Sequence, residues 1–141
     1  MANKVLDSWA LVAFFEDEPA ASQVEEVLDQ ASTNQHRLFL SAINWAEIYY
    51  STMREVSQEA ADRHAEIIAQ LPIEIVGLTD DLHLARQAAI FKARHRLSLA
   101  DAFAAALAKE KRAELLTGDT EFRVLEGEIK LHWLNPKAWR R

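Results

Sequence analysis

The chain has 141 residues and is 50% hydrophobic and 27% charged, a composition typical of a globular protein with its own hydrophobic core. It contains no cysteine, which excludes disulfides, thiolate metal ligands and a cysteine nucleophile, and no apolar run is long enough to span a membrane. Its formal charge of −6 is opposite in sign to the lysine and arginine excess that usually gives affinity for nucleic acids. We expect a cytoplasmic protein.

Short apolar or β-branched runs alternate with segments of helical periodicity, the pattern of an α/β domain built on a parallel sheet. The predicted strands, in chain order, are residues 4–6, 37–40, 73–76, 115–117 and 129–134. The predicted helices are one through Trp9 to Phe15, one opened by Pro19, one capped by Ser41, one from Ser57 to Pro72, and three at 79–94, 98–111 and 120–126. Because no linker or internal repeat interrupts this order, we expect one domain over residues 1–141.

Two aspartates stand just beyond predicted strands. Asp7 directly follows Val5-Leu6, and Asp119 follows the strand that ends at Thr117, with Gly118 between them. In a parallel sheet, ligands collect beyond these strand ends where the strand order reverses, and Gly118 would let the backbone turn sharply there. A helix follows each aspartate, so the sequence equally allows both to be helix N-caps.

A third aspartate, Asp101, lies in the first turn of an alanine-rich helix. Ser98 three residues before it mimics a capping box, which is the alternative interpretation. Asp101 shares a helix face with Ala104, Ala105 and Ala108, and such a stripe of small residues lets a helix pack closely on a sheet. Asp101 would then be partly buried near the strand ends, where a charge must be paired or must bind metal.

Glu47 lies in the second turn of the helix that Ser41 caps. Its own surroundings favour an ordinary solvated glutamate, paired with Ser51 or Arg54 on the same helix. Each of these four acids alone is weak evidence for a functional site, and the evidence lies in the four taken together.

Four sequence blocks contain these acids: VLDSWALVAFF, SAINWAEIYY, LSLADAFAAALA and LLTGDTEF. In order, spacing and chain length they resemble the PIN-domain ribonucleases, and within them the VapC-type toxins of bacterial and archaeal toxin–antitoxin pairs. The resemblance runs nearly end to end and implies a three-layer α/β/α PIN-like domain with a central, mostly parallel five-stranded sheet.

The same resemblance implies a metal-dependent endoribonuclease whose metal ligands and catalytic residues are Asp7, Glu47, Asp101 and Asp119. Oxygen ligands suit Mg²⁺, with Mn²⁺ as the alternative. Ser8 and Thr117 are expected to hydrogen-bond the carboxylates or position water around the cofactor. The chain departs from the family pattern at two positions. Trp9 stands where many members have a small residue, and Glu121 is an additional or substitute ligand.

The implied partners are an RNA substrate, a cognate antitoxin that covers the acidic site, and a second copy of the chain in a homodimer, with no membrane. If bound cations face the four site acids, the rest of the chain carries a charge of about −2. Basic residues that could contact phosphates are clustered at Lys92, Arg94 and Arg96, at Lys109, Lys111 and Arg112, and at Arg140 and Arg141; a solvated face is the alternative for each cluster.

Two other phosphate-handling folds place aspartates at strand ends. A receiver domain requires an adjacent acidic pair near its first strand and a lysine after its last core strand, and the sequence has neither. A haloacid-dehalogenase-type phosphatase requires Asp-x-Asp, whereas the chain reads Asp7-Ser8-Trp9. The alternative that remains is a catalytically silent PIN fold that acts as an RNA-binding or protein-interaction module.

Overall fold

The computed structural model describes residues 2–134; Arg140 and Arg141 of the predicted basic clusters lie outside this range. The strands are β1 (Ala2–Leu6), β2 (His36–Ser41), β3 (Glu74–Val76), β4 (Glu114–Thr117) and β5 (Lys130–Trp133). The helices are α1 (Ser8–Phe15), α2 (Ala21–Ser32), α3 (Ala42–Glu55), α4 (Gln58–Gln70), α5 (His83–Arg94) and α6 (Leu99–Lys111), followed by a 3₁₀ helix at Thr120–Leu125.

The five strands form one sheet in the order β3-β2-β1-β4-β5, and every pair in it is parallel. The chain therefore leaves β1 toward β2 and β3 on one side, then crosses back to place β4 and β5 on the other side. The predicted α/β class and five-stranded sheet are confirmed, and the sheet is parallel throughout.

Successive residues of each central strand point to opposite faces of the sheet. On β1, Val5 packs into the cluster that includes Phe91 and Leu107 of α5 and α6. The next residue, Leu6, packs into the cluster that includes Leu11 of α1 and Val24 of α2. Because both faces of the sheet are covered by helices, the central strands are apolar without alternation, as buried parallel strands are.

Most helices begin at the residue that the sequence indicates. Ser41, Ser57 and Ser98 cap α3, α4 and α6, each accepting a hydrogen bond from the backbone N–H three residues later. The prediction that a helix begins at Thr79 is wrong, since α5 begins at His83.

The side chain of Asp81 explains the later start of α5. Its Oδ1 accepts hydrogen bonds from the Thr79 hydroxyl at 2.6 Å and from the backbone N–H of His83 at 3.0 Å. Leu82 takes a left-handed conformation with φ of +59°. Residues 79–82 therefore form a turn that precedes the helix. Across residues 2–134, no helix has both the length and the apolar character needed to cross a membrane.

Candidate metal site

The site lies where the strand order reverses. β1 pairs with β2 on one side and with β4 on the other, so the chain leaves the carboxyl ends of these neighbours in opposite directions and opens a crevice between them. Asp7 follows the last residue of β1, and Asp119 lies two residues beyond the end of β4. The order of the strands brings together acids that are more than a hundred residues apart.

Asp7 is buried at the base of this crevice, with 1% of its surface exposed. Its Oδ1 accepts a hydrogen bond from the backbone N–H of Ala10 at 2.9 Å, and its Oδ2 accepts one from the hydroxyl of Thr117 at 2.5 Å. Asp7 is thus the N-cap of α1, as the alternative interpretation held. Two ionised oxygens offer about four acceptor sites, so the cap does not exhaust its capacity to bind a cation.

Burial raises the pKa of Asp7 to about 7. The hydrogen bonds from Thr117 and Ala10 lower this pKa, whereas the negative charges of Asp119 and Glu47 raise it further. The carboxylate is therefore held in a position where its negative charge is unfavourable unless a cation is close.

Asp101 lies in the first turn of α6, and its backbone N–H donates to the hydroxyl of Ser98 at 3.1 Å. The residue is 8% exposed and therefore buried, as the alanine stripe predicted. Burial raises the pKa of Asp101 to about 8, the charges of Asp119, Asp7 and Glu47 add to the rise, and a hydrogen bond with Ser98 opposes it. Helix α6 thus places the Asp101 carboxylate close enough to the other acids for their negative charges to act on it.

Asp119 caps the 3₁₀ helix, with its Oδ1 accepting a hydrogen bond from the N–H of Glu121 at 2.9 Å. The N–H of Asp119 donates to the hydroxyl of Thr117 at 2.9 Å. Thr117 therefore bridges Asp7 and Asp119, holding the end of β4 against the end of β1. Thr117 thus lies beside the carboxylates, where the sequence predicted it.

Asp101, Asp119 and Glu121 each offer a carboxylate oxygen within 4.8 Å of the others, a spacing that suits a shared cation. Asp7 and Glu47 are not members of this group, although the charges of both act on Asp101. Glu121, which the sequence indicated as an additional ligand, therefore belongs to this group of three.

Glu47 is half-buried and lines a cavity of about 680 Å³ together with Asp101, Asp119 and Glu121. The solvated pairing with Arg54 is not formed: the Arg54 guanidinium lies 5.3 Å from the ring centroid of Tyr50. Helix α3 therefore directs Glu47 into the same cavity as the other acids.

Within residues 2–134, none of these five acids forms an ion pair with a lysine, arginine or histidine. Hard carboxylate oxygens grouped without basic partners match the ligand preference of Mg²⁺ and Mn²⁺. The donor set therefore fits a divalent metal ion, which would replace the missing positive charge.

Asn44 is a residue of this site that sequence reasoning missed. It is fully buried, and its Nδ2 donates to the Ser8 hydroxyl at 3.0 Å and to the Ala100 carbonyl at 3.2 Å. Its Oδ1 accepts from the Ser41 hydroxyl at 2.6 Å. Asn44 thus joins the first turns of α1, α3 and α6, the helices that carry the acids.

The signal for Asn44 in the sequence is an amide three residues after the capping Ser41 and three before Glu47, on one helix face. Ser8, expected beside the carboxylates, hydrogen-bonds Asn44 instead: its hydroxyl donates to the Asn44 carbonyl at 3.3 Å. Ser8 therefore acts on the site through the helix junction.

Gly118 is needed for a different reason from the one expected. Its φ lies outside the left-handed region, but a Cβ built on it would lie 2.2 Å from Cη2 of Trp9. The glycine makes room for the indole, so the expected role in a sharp turn was wrong and a close approach replaces it.

The family model described as "PIN domain" matches residues 4–128. No curated protein sequence gives a significant match.

Several solved structures share the fold. VapBC from Salmonella typhimurium, bound to DNA, has a TM-score of 0.72 at 15% identity, over 96% of this chain and 100% of that chain. VapBC2 from Rickettsia felis, bound to a promoter DNA fragment, has a TM-score of 0.71 at 15% identity, over 94% and 99%. VapC20 from Mycobacterium tuberculosis, a Sarcin-Ricin loop cleaving toxin, has a TM-score of 0.66 at 18% identity, over 87% and 94%.

Proposed function

This chain belongs to the PIN-domain family, and from that premise we propose that it is a metal-dependent endoribonuclease, the toxin of a toxin–antitoxin pair. The observation that carries the proposal is the group of carboxylates at the crevice between β1 and β4, which are buried or half-buried except for the exposed Glu121 and have no basic partners among the described residues. Burial raises the pKa values of Asp7 and Asp101, so their negative charges are unfavourable in the folded protein. The arrangement therefore does not serve the stability of the fold.

In the proposed mechanism, Asp101, Asp119 and Glu121 hold Mg²⁺ or Mn²⁺, with Asp7 and Glu47 completing the acidic surroundings. The bound ion would supply Lewis-acid stabilisation of the phosphate charge and would lower the pKa of water. Asp7 keeps its orientation because Thr117 and the start of α1 bind both of its oxygens.

Glu47 is the acid that we assign to the attacking water. It is half-buried, it lines the cavity, and its carboxylate has no ion-pair partner among residues 2–134. It therefore orients the water and accepts its proton while the water oxygen adds to phosphorus. The bond from phosphorus to the leaving ribose oxygen breaks, and that oxygen takes up a proton.

The cations that contact RNA are expected near the cavity. Lys109 and Lys111 lie in the last turn of α6, and the ten residues from Asp101 to Lys111 correspond to roughly 15 Å along the helix. The ammonium group of Lys92 already donates a hydrogen bond within the protein, to the carbonyl of Leu97. Arg63, which lines the cavity, is better placed to neutralise a phosphate, and it was not among the clusters predicted from sequence.

The proposed protein partners are a cognate antitoxin that covers the acidic cavity and a second copy of the chain. Support comes from the solved structures of similar fold, whose names describe VapBC pairs and, in two of them, bound DNA. We place the protein in the cytoplasm, where its RNA substrates are, and assign residues 1–141 to one domain.

The test is cleavage of RNA by purified protein freed of antitoxin, with Mg²⁺ or Mn²⁺. We expect Asp101→Asn and Glu47→Gln to reduce the rate at least about a hundredfold, since each removes charge from the site. Asp80→Asn is the matched control because Asp80 is exposed in a turn away from the cavity. Cleavage that survives EDTA or both site substitutions would refute the mechanism. RNA binding without cleavage would identify the silent PIN-fold module instead.

A further inference from the structure

Trp9 is held against the backbone at Gly118, the residue that precedes Asp119. Three consecutive atoms of its ring, Cη2, Cζ2 and Cζ3, lie 2.2, 2.4 and 2.5 Å from the position that a Cβ on Gly118 would occupy. Near-equal distances to three neighbouring ring atoms mean that Gly118 meets the face of the ring, because an edge-on approach would leave the two outer atoms well over half an ångström farther away. The indole therefore has a fixed plane beside Asp119.

Trp9 also lines the cavity that contains the acids. It is half-buried, and the cavity wall includes it together with Asp101, Asp119 and Glu121. Trp9 follows Asp7 by two residues in the first turn of α1, and its ring reaches across to the end of β4. A large aromatic surface thus borders the place where a scissile phosphate would bind.

We propose that Trp9 positions the RNA substrate by packing an unpaired nucleobase against the cavity-lining surface of its indole. The inference rests on the proposed ribonuclease function and adds how the substrate is held. The carboxylates would hold a metal ion that acts on the phosphate, a group that every nucleotide has, whereas the indole binds the base.

The charge of the chain makes such a contact valuable. A net charge of −6 gives little general attraction for a polyanion, so contacts that do not depend on charge would add affinity that the overall charge does not supply. Packing of unpaired bases on aromatic side chains is a strong contact of this kind and tolerates any base. A cavity of about 680 Å³ is within the range of small-molecule sites.

A purely structural role for Trp9 predicts different behaviour. If the indole only covers Gly118, its loss lowers stability and the overall rate but does not change KM or the dependence on bases. Measurements of KM and of base-dependent binding therefore separate the two roles.

The first experiment compares Trp9→Leu, which keeps apolar bulk, with Trp9→Phe, which keeps an aromatic ring. We expect Trp9→Leu to raise KM for single-stranded RNA about tenfold, and Trp9→Phe to raise it only about twofold. Trp45→Leu is the matched control, since Trp45 is also half-buried but stacks on Tyr49 and is not part of the cavity wall; its KM should not change. Circular dichroism checks folding, and Trp9→Met replaces Trp9→Leu if that variant does not fold.

The second experiment measures binding of a labelled oligoribonucleotide and of the same oligomer with abasic residues, by fluorescence anisotropy in an Asp119→Asn background. The proposal predicts that Trp9→Leu weakens binding of the oligomer about tenfold and leaves binding of the abasic oligomer unchanged. Equal losses for both oligomers, or an unchanged KM in an active enzyme, would overturn the role of Trp9 and leave the nuclease proposal intact. Base-dependent binding through Trp9 in a protein that never cleaves RNA would support this inference and refute the nuclease.

Discussion

Removal of metal should make this protein sensitive to alkaline pH, and Asp101→Asn should relieve that sensitivity. Burial raises the pKa of Asp7 from 3.8 to about 7 and that of Asp101 from 3.8 to about 8. The folded protein therefore keeps protons on these carboxyl groups at pH values where the unfolded chain has released them. The free energy of unfolding is highest below pH 4 with respect to these groups, and it falls as the pH rises through 7 and 8.

The magnitude follows from about 1.4 kcal/mol per pH unit for each carboxyl group. Between pH 5.5 and 8.5, a pKa of about 7 for Asp7 gives a loss of about 2 kcal/mol, and a pKa of about 8 for Asp101 gives about 3 kcal/mol. In a domain of this size, 3 kcal/mol corresponds to roughly 6–12 °C in Tm. Asp101→Asn should remove the larger part of the loss, because the amide does not ionise.

The assay is urea denaturation in EDTA at pH 5.5, 7 and 8.5, for the native protein, Asp101→Asn and the exposed control Asp80→Asn. Saturating Mg²⁺ is then added at pH 8.5, where about 3 kcal/mol of stabilisation is expected at a hundredfold excess over Kd. Asp101→Asn should lose most of that stabilisation, whereas the control should behave like the native protein.

Two results would refute the reasoning. One is a metal-free protein that is as stable at pH 8.5 as at pH 5.5. The other is an Asp101→Asn variant that is less stable than the native protein at pH 8.5, since this would show that the carboxylate contributes favourable contacts that outweigh its burial.

Three further predictions concern the contacts that hold the site. Thr117→Val should lower the free energy of unfolding by about 2 kcal/mol in urea, because Asp7 loses a donor and the N–H of Asp119 an acceptor; a loss below about 0.5 kcal/mol would contradict this. Asn44→Ala should lower it by about 3 kcal/mol and weaken Mg²⁺ binding measured by calorimetry, because three helix starts lose their common partner; unchanged Mg²⁺ affinity would show that the junction does not position the acids. Gly118→Ala should lower the Tm by an amount equivalent to about 1–3 kcal/mol through overlap with the indole. The double variant with Trp9→Ala should then be no less stable than Trp9→Ala alone, and additive losses would exclude the overlap.

Much of the fold could be predicted because local chemistry determines it. Ser41, Ser57 and Ser98 cap helices in the structure as their positions indicated, and the apolar runs became the buried strands. The start of α5 could not be predicted, because Thr79 resembles a cap, whereas the N-cap residue is Leu82 and the side chain of Asp81 holds the preceding turn. The pairing of β4 with β1 joins distant segments, and no local pattern encodes which strands become neighbours.

Some residues of the candidate site could likewise be predicted from the sequence, and others could not. The resemblance to a family indicated four acids, Asp7, Glu47, Asp101 and Asp119, with Glu121 as an additional or substitute ligand. The fold places all of these acids around one crevice. Sequence could not reveal that Asn44 joins three helices, since its partners Ser8 and Ala100 are 36 and 56 residues away. It also could not reveal that Gly118 accommodates Trp9, because a close approach of two segments leaves no trace in the spacing of either.

The hydrogen bond between Thr117 and Asp7 also determines when the site can form during synthesis. The two residues are 110 positions apart, and at about 5–20 residues per second a ribosome needs roughly 5–20 s to make the intervening chain. Until β4 leaves the ribosome and takes its place beside β1, Asp101 and Asp119 have no ordered position next to Asp7. A nascent chain that ends before residue 114 should accordingly show no binding of Mg²⁺. The order of the strands thus delays formation of the acidic cavity until the last part of the sheet has been synthesised.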